Sequence, residues 1–111
     1  MSHCIFCQII DGQIPAPRLY EDDQLIVIAD KYPKAPVHVL VILREHIASL
    51  DDIGPQHAGL IAHAIGVLPE VARSSGLKDG FRTIINTGPG GGQEIPHLHI
   101  HVLGGGGLPG F

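Results

Sequence analysis

A chain of 111 residues is long enough for one domain built around one hydrophobic core. Hydrophobic residues make up 44% of the chain and charged residues 16%, which excludes an intrinsically disordered protein. The formal net charge of -4, without a cluster of lysines or arginines, argues against nucleic acid as a partner.

The first residues of the chain contain no positively charged segment followed by an apolar run, so we expect no signal peptide. No stretch is long enough for a membrane span, and we expect no membrane partner. These features predict a cytoplasmic protein. In that compartment Cys4 and Cys7 are expected to be reduced thiols or metal ligands rather than a disulfide.

The first third of the chain predicts a short helix followed by three strands. Apolar residues at positions 5, 6, 9 and 10 have helical spacing, and Gly12 is expected to end this helix. The first two strands are expected to form a hairpin, and the third is apolar nearly throughout, which predicts a central strand covered on both faces. The three strands comprise residues 18–21, 24–29 and 37–43.

The middle of the chain has the apolar spacing of one long helix. Gly54 and Pro55 mark its start, and residues 74–76 mark its end. Pro69 lies inside this helix. Because proline has no N–H to donate, we expect a kink between residues 65 and 69 but no break.

Two further strands are predicted after the long helix, with a glycine-rich loop between them. The strands comprise residues 81–86 and 96–103, the loop residues 87–93. The last residues of this single domain (1–111), 104–111, are expected to form a mobile tail. About five antiparallel strands, with one long and one short helix collected on one side of the sheet, make an α+β fold.

The most informative segment is the last strand, in which His97, His99 and His101 alternate with apolar residues. Successive side chains of a strand point to opposite faces, so the three imidazoles share one face. Each imidazole has two polar nitrogens that need partners, which makes such a face costly to bury as simple packing. The pattern therefore favours a reaction centre or a metal site over a solvated strand face.

The ordered set of motifs resembles the histidine triad (HIT) family of nucleotide hydrolases, and most closely its small bacterial Hint-type branch. Residues 97–103 fit the family signature. Further motifs follow the family order over nearly the whole chain: the Cys4 and Cys7 pair and residues 14–15, 20–22, 35–38, 86–88 and 91–94. The resemblance implies a HIT-like fold and a homodimer whose sheet continues across the subunit interface.

The resemblance implies that His99 attacks the α-phosphorus of a purine nucleoside 5′-monophosphate derivative, such as a phosphoramidate that joins AMP to an amine. A neutral imidazole attacks without a separate base if its other nitrogen donates a proton to a carbonyl or a neighbour. Water then cleaves the nucleotidyl-histidine. His101 is expected to bind the phosphoryl oxygens or protonate the leaving group. His38 is a fourth imidazole nearby, or else a hydrogen-bonded core histidine.

The other residues implied by the resemblance bind the nucleotide. The glycine-rich loop, including Gly92, is expected to turn its N–H groups toward the phosphate, with amide donors from Asn86 and Gln93. At Glu94 some relatives carry a serine, so we expect this carboxylate to point away and its N–H to bind. Asp30 is expected to accept from ribose hydroxyls, or else to be a turn aspartate. Four apolar side chains are expected to enclose the base: Ile5, Phe6, Ile9 and Ile28.

Cys4 and Cys7 form a CxxC pair, which alone fits a redox pair, half of a zinc site or two small buried residues. The resemblance implies a structural zinc ion held by this pair with His46 and His97. Two cysteines and two histidines are a closed tetrahedral set, so we expect no metal to be required for the chemistry. The remaining histidines have no assigned role: His3, His57 and His63.

Three other functions fit part of the pattern. A dinucleoside polyphosphate hydrolase would use the same groups on the same scaffold. A metal-centred protein would bind one ion with His97, His99 and His101 together. A nucleotide-binding module would regulate a partner through nucleotide occupancy, with turnover incidental.

Overall fold

Five strands form one antiparallel sheet in the computed structural model, which describes residues 3–111. In chain order they are β1 (Tyr20–Glu21), β2 (Leu25–Ala29), β3 (Val37–Leu43), β4 (Arg82–Ile84) and β5 (His99–Gly104). Their order across the sheet is β1-β2-β3-β5-β4, so β3 is central as predicted. The edge strands β1 and β4 are shorter than the predicted runs, which limits the unpaired backbone at the edges.

The helical segments are short. The three α-helices are α1 (Ile5–Ile10), α2 (Ala58–Gly66) and α3 (Leu68–Ser74), and single 3-10 turns occur at Leu50–Asp52, Pro55–His57 and Pro89–Gly91. No helix within residues 3–111 is both long enough and apolar enough to cross a membrane. Met1 and Ser2 lie outside the described residues. They begin the segment in which no signal peptide is expected.

The predicted long helix is divided at Val67, where α2 ends and α3 begins. Pro69 has no N–H for the carbonyl of Ile65, and it lies in the first turn of α3, where a missing N–H costs little. Val67 keeps right-handed helical dihedral angles, and its N–H donates to the His63 carbonyl at 3.1 Å. The sequence predicted a kink without a break, whereas the structure contains two helices that meet at this residue.

Both faces of β3 are covered by helices, which corrects the expectation that the helices collect on one side of the sheet. Val39 and Val41 belong to a buried cluster with α2 and α3. Leu40 and Ile42 point to the opposite face, where they pack with Phe6 of α1. The strand period of two therefore assigns one apolar set to each helical layer.

The strand that carries the histidines begins three residues later than the predicted strand of residues 96–103. β5 starts at His99, and His97 lies in the bend before it. The N–H of His97 donates to the Ile95 carbonyl at 2.8 Å, and the N–H of Leu98 donates to the Ile47 carbonyl at 2.7 Å. These bonds fix the main chain of the bend that contains His97.

The end of β5 corrects the boundary of the predicted tail. Gly104 is buried and pairs with Val37, so it belongs to the sheet and not to a mobile segment. A Cβ atom at Gly104 would lie 2.7 Å from a methyl group of Leu77, so any side chain here would have to displace the Leu77 side chain. Near the end of the chain, the Phe111 ring lies 4.7 Å from the Arg82 guanidinium.

Asp22 closes the hairpin of β1 and β2. Its Oδ1 accepts hydrogen bonds from the N–H groups of Gln24 at 2.8 Å and Leu25 at 3.0 Å. Its Oδ2 lies 3.0 Å from the Tyr20 hydroxyl and 2.7 Å from His63 Nε2. Partial burial opposes ionisation of the carboxyl, but these hydrogen bonds outweigh it and lower the pKa of Asp22 to about 2. His63 thus ties α2 to the hairpin.

We expect Asp22→Asn to lower the free energy of unfolding near neutral pH by about 1–2 kcal/mol. The carboxylate is stabilising above its unfolded pKa of 3.8, and this contribution is lost as the pH falls toward 2. The difference from the wild type should therefore shrink in acid, as measured by urea unfolding at several pH values. Asp23→Asn, at an exposed neighbouring position, is the matched control and should show no such pH dependence.

Candidate active site

His99 has its proton position set by the main chain. The residue is 8% exposed, and its Nδ1 lies 2.6 Å from the carbonyl oxygen of His97. Because a carbonyl oxygen can only accept, Nδ1 carries the proton of the neutral ring. The Nε2 lone pair is therefore available for attack. The structure supplies the carbonyl acceptor that an unassisted imidazole nucleophile needs.

Phe6 packs against the rings of both His97 and His99. The ring centroids lie 5.8 Å and 5.0 Å away, and the planes meet at 83° and 81°, which is edge-to-face packing. Phe6 is only 3% exposed. The structure places this residue against the two histidines, and its predicted contact with the base stays a prediction.

His38 and His101 form a hydrogen-bond chain that begins at a main-chain N–H. The N–H of Lys34 donates to His38 Nδ1 at 3.0 Å, so this nitrogen carries no proton. The proton of neutral His38 therefore lies on Nε2, which is 2.9 Å from His101 Nδ1. As His101 accepts at Nδ1, its own proton lies on Nε2. One peptide N–H thus fixes the tautomers of two imidazoles.

Asp30 lies directly after β2 and beside this chain. Its Oδ1 accepts from the Tyr32 N–H at 2.8 Å, as in a turn aspartate, and its Oδ2 lies 3.3 Å from His38 Nε2. Asp30, His38 and His101 each offer one ligand atom, and these three atoms lie within 4.8 Å of one another. This spacing also suits a metal ion. A metal on His38 Nε2 would leave that ring without any proton while Nδ1 still faces the Lys34 N–H. A buried imidazolate is costly, so the group is better explained as a hydrogen-bond chain.

A second cluster can hold a metal ion, and it consists of the four residues that the sequence predicted. Ligand atoms of Cys4, Cys7, His46 and His97 lie within 4.8 Å of one another. The Nδ1 of His97 lies 3.3 Å from Cys4 Sγ and 3.1 Å from His46 Nδ1, and Cys7 Sγ lies 3.2 Å from His46 Nδ1. Tetrahedral coordination with bonds of about 2.0–2.1 Å places two nitrogen ligands about 3.3 Å apart. The donor set therefore fits a four-coordinate ion.

The orientation of His97 separates this cluster from the reaction centre. The ring is completely buried, and its Nε2 donates to the Leu43 carbonyl at 2.6 Å, which leaves Nδ1 to face the cysteines. His99 uses its Nδ1 on the carbonyl of His97. The alternative in which His97, His99 and His101 bind one ion is therefore excluded by the directions of their nitrogens.

The glycine-rich loop is folded on itself rather than opened toward a ligand. The N–H groups of Gly91 and Gln93 donate to the Gly88 carbonyl at 3.1 and 3.0 Å, and the N–H of Gly92 donates to the Pro89 carbonyl at 3.1 Å. Gly88 and Gly92 have positive φ angles, which allow this tight turn. These N–H groups are used inside the loop, so their predicted role in binding an anion stays a prediction.

The Gln93 side chain holds the loop in place. Its Oε1 accepts from the Gly88 N–H at 2.9 Å, and its Nε2 donates to the carbonyls of Ala48 at 2.7 Å and Ile95 at 2.9 Å. An amide nitrogen has two hydrogens, so neither is left for a phosphate. The side chain therefore has a structural role in this conformation, and its predicted contact with a phosphate stays a prediction.

The remaining predicted site residues surround the histidines. The Glu94 residue is exposed, and its N–H has no hydrogen-bond partner among residues 3–111, so it is available to a ligand. Asn86 is half-buried after β4. Ile5 is 44% exposed, whereas Ile9 and Ile28 lie with Phe6 in the buried cluster beneath α1. Ile5 is thus the predicted base contact with the most free surface.

Comparisons with known proteins identify the family of this chain. The family model described as scavenger mRNA decapping enzyme C-terminal binding matches residues 3–106. Protein HitA of Neisseria gonorrhoeae is 48% identical over 104 residues, which cover 94% of this chain and 97% of that protein. The chain belongs to the histidine triad family. The resemblance stated from the sequence motifs is confirmed.

Solved structures show that this HIT protein has the fold of its family. A histidine triad protein from Clostridium difficile is 41% identical, with a TM-score of 0.92 and coverage of 100% of this chain and 99% of that one. A HIT family hydrolase from Clostridium thermocellum is 38% identical, with a TM-score of 0.94 and coverage of 100% and 97%. A HIT family hydrolase from Legionella pneumophila is 37% identical, with a TM-score of 0.92 and coverage of 96% of each chain.

Some groups that position the site were missed by the sequence analysis. They are the N–H of Lys34 and the carbonyl groups of Leu43 and His97, which set the proton positions of the histidines. Every residue has these groups, except that proline lacks the N–H, so no residue pattern reveals them. The bend before β5 and the loop before β3 bring them to the rings.

The electrostatics of the site keep His101 uncharged. Burial, followed by the like charges of His99 and His38, lowers the pKa of His101 from 6.5 to about 4. Burial also lowers the pKa of His38, although the carboxylate of Asp30 opposes this shift. A neutral His101 keeps Nδ1 unprotonated, so that Nδ1 can accept the hydrogen bond from His38 Nε2–H.

We expect histidine side-chain NMR to show a neutral, Nε2-protonated His101 ring at about pH 5.5, where an unperturbed imidazole is mostly charged. The folded pKa lies below the unfolded value of 6.5, so the contribution of the neutral ring to stability is complete above pH 6.5 and declines as the pH falls toward 4. His101→Gln identifies the signal. A charged ring at that pH in the folded protein would contradict the described hydrogen-bond chain.

Proposed function

We propose that this HIT protein is a hydrolase of purine nucleoside 5′-monophosphate derivatives, above all phosphoramidates, and that it works through a nucleotidyl intermediate on His99. The observation that supports the proposal is the single imidazole whose Nδ1 proton is held by a carbonyl and whose Nε2 is free. Membership of the HIT family, in which related structures are described as HIT family hydrolases, supports hydrolysis as the reaction class.

In the first step, the Nε2 lone pair of His99 attacks the α-phosphorus, and the bond from phosphorus to the leaving nitrogen breaks. Formation of the N–P bond places positive charge on the imidazole. The hydrogen bond from Nδ1–H to the His97 carbonyl becomes stronger as this charge develops, which stabilises the transition state. The enzyme therefore needs no separate base for the attack.

His101 is best suited to bind a phosphoryl oxygen. Its Nε2–H is a neutral donor, and its Nδ1 already accepts from His38. If His101 gave up its Nε2 proton completely, its ring would become anionic. If His38 then passed its own Nε2 proton to His101, the His38 ring would become anionic instead. Of the two roles expected for His101, hydrogen bonding to the phosphoryl group is therefore favoured, and the leaving amine takes its proton from solvent.

In the second step, water attacks the phosphorus of the nucleotidyl-histidine, and the N–P bond breaks to return neutral His99. The water loses one proton to solvent, and the products are the nucleoside monophosphate and the amine. We propose that Ile5 contacts the base, that Asp30 accepts from ribose hydroxyls, and that the Glu94 N–H donates to the phosphate. No basic side chain is needed in this arrangement, since main-chain and imidazole donors bind the anion.

We further propose that the Cys4, Cys7, His46 and His97 cluster holds zinc. Two thiolates and two imidazole nitrogens are ligands that zinc prefers, and four protein ligands leave no position for a reactive water. Such an ion would have a structural role and would tie α1 to the bend before β5. The homodimer implied by the family resemblance is also proposed, with the unpaired edge of β4 available for contact with a partner.

We expect His99→Ala to reduce turnover of an adenosine phosphoramidate more than about a thousandfold, because the nucleophile is lost. AMP binding, measured by calorimetry, should remain. His57→Ala is the matched control, since the described hydrogen bonds of His57 go to Gly54 and Glu45 and not to a predicted site residue. Undiminished turnover in His99→Ala would rule out the assigned nucleophile.

The same assay separates the other functions. Faster cleavage of a diadenosine polyphosphate than of the phosphoramidate would favour the dinucleoside polyphosphate hydrolase. Tight AMP binding by a wild-type protein that turns over neither substrate would favour the nucleotide-binding module.

We expect one zinc ion per chain in the wild type by elemental analysis and much less in His46→Ala. A ligand at 100 times its Kd stabilises the folded state by about 2.7 kcal/mol. Added zinc should therefore raise the unfolding temperature of the metal-stripped wild type but not that of the variant. His57→Ala again serves as the control. A wild type that takes up no zinc would contradict this assignment.

A further inference from the structure

The two cysteines of the chain lie on one turn of main chain at the start of α1. Cys4 is the N-terminal cap of the helix, and Cys7 is its third residue. The N–H of Cys7 donates to Cys4 Sγ at 3.4 Å, so the Cys4 side chain turns back over the helix. The two sulfur atoms lie within 4.8 Å of each other. The sulfur ligands of the metal-ligand cluster (Cys4, Cys7, His46 and His97) are therefore neighbours, whereas its two histidines come from other parts of the fold.

One side of the metal-ligand cluster is open to the surface. Both cysteines are half-buried, and His46 is exposed. Cys7 Sγ lies 3.2 Å from the Nδ1 of this exposed histidine. Cys4 Sγ lies 3.3 Å from the Nδ1 of His97, whose ring is completely buried. A small oxidant that enters from the surface therefore reaches the Cys7 sulfur first.

A disulfide between the cysteines would fit into α1 without movement of another element. Disulfides join residues whose Cα atoms lie about 4.4–6.8 Å apart, and residues three apart on one helical turn fall in this range. Cys-x-x-Cys is also the spacing of the reactive pair in disulfide oxidoreductases. The buried histidine of the cluster is held independently, since His97 Nε2 donates to the Leu43 carbonyl at 2.6 Å. Reduction can therefore restore the original set of ligands.

We propose that Cys4 and Cys7 are a site of reversible oxidation, at which a peroxide converts two metal-bound thiolates to a disulfide and the zinc ion is released. Cysteine sulfur is a thiolate when it binds a metal ion, and the thiolate is the form of cysteine that reacts with peroxides. The inference rests on the proposed zinc site for the release of the ion, and it is independent of the proposed hydrolysis.

The oxidation has two steps. The Cys7 thiolate attacks one oxygen of hydrogen peroxide, the O–O bond breaks, and the products are a Cys7 sulfenic acid and hydroxide. The Cys4 thiolate then attacks the Cys7 sulfur, the S–S bond forms, and the S–O bond breaks to release a second hydroxide. Both hydroxides take protons from solvent and become water. Two electrons thus pass from sulfur to peroxide, and a thiol reductant reverses the change by thiol–disulfide exchange.

Oxidation removes the connection between α1 and the bend before β5. The disulfide joins two residues of the same turn, so it cannot replace an ion that also binds His46 and His97. At the other end of α1, the Arg18 guanidinium donates to the carbonyls of Ile9 and Ile10 at 3.0 and 2.9 Å, and these bonds remain. A helix of six residues depends on such tertiary contacts. We therefore expect the oxidised protein to be folded but to unfold at a lower temperature than the zinc-loaded protein.

The test treats the zinc-loaded wild type with hydrogen peroxide and measures released zinc with a chromogenic chelator. One ion per chain should be released. The loss of two ligands should weaken zinc binding by more than about a hundredfold, since the loss of one supporting group already costs about 10- to 100-fold. Trypsin should release a peptide of residues 1–18 that contains both cysteines and is lighter by about 2 Da than after reduction. Dithiothreitol followed by zinc should restore the zinc content and the unfolding temperature.

Cys7→His is the matched control. The variant keeps four ligands of kinds that bind zinc, but the one cysteine that remains cannot form a disulfide within the chain. It should keep its zinc under the same peroxide treatment, once elemental analysis has shown that it binds the ion. The peptide mass of the wild type tests the disulfide even if this variant fails to fold.

Three results would overturn the inference. The first is a wild type that keeps its zinc and both reduced cysteines under conditions that oxidise a small dithiol. The second is release of zinc with sulfinic or sulfonic acids and no disulfide, and the third is equally fast release from Cys7→His. A wild type that takes up no zinc but still forms the disulfide would remove the proposed zinc site and leave the oxidation site in place.

Discussion

The hydrogen bond from His99 Nδ1 to the His97 carbonyl is the constraint on which the site depends. It assigns the ring proton to one nitrogen and frees the other. Its acceptor is itself fixed, because His97 is held through its ring by the Leu43 carbonyl and through the next peptide by Ile47. The bend before β5 therefore serves to place one carbonyl oxygen beside one imidazole.

The three histidines of the triad differ in what faces their Nδ1 atoms. The Nδ1 of His97 faces the cysteine sulfur atoms, and the Nδ1 of His99 faces a carbonyl oxygen. The Nδ1 of His101 faces the protonated Nε2 of His38. These partners suit the first to a metal ligand, the second to the proposed nucleophile and the third to a neutral donor. One residue type thus serves three chemical purposes because the fold offers three different partners.

An acidic protein can still bind an anionic substrate if the local donors are well placed. The glycine-rich loop contributes less to this than its composition indicates, since Gly91, Gly92 and Gln93 use their N–H groups internally. Within residues 88–94, the N–H groups of Gly90 and Glu94 have no hydrogen-bond partner among residues 3–111. Together with the Nε2–H of His101, they are the donors that this side of the site can offer to an anion.

The sequence by itself determined the features that follow from residue type and spacing. The period of two placed Ile100 and Val102 on one face and His99 and His101 on the other. The CxxC pair alone fitted several roles, and the family resemblance of the motifs implied the cluster with His46 and His97 that the fold brings together. Only the tertiary structure decided which nitrogen of each imidazole carries the proton, and that the loop is closed and helices cover both faces of the sheet. These depend on main-chain groups such as the Lys34 N–H, which nearly every residue possesses and only the folded chain brings to the right ring.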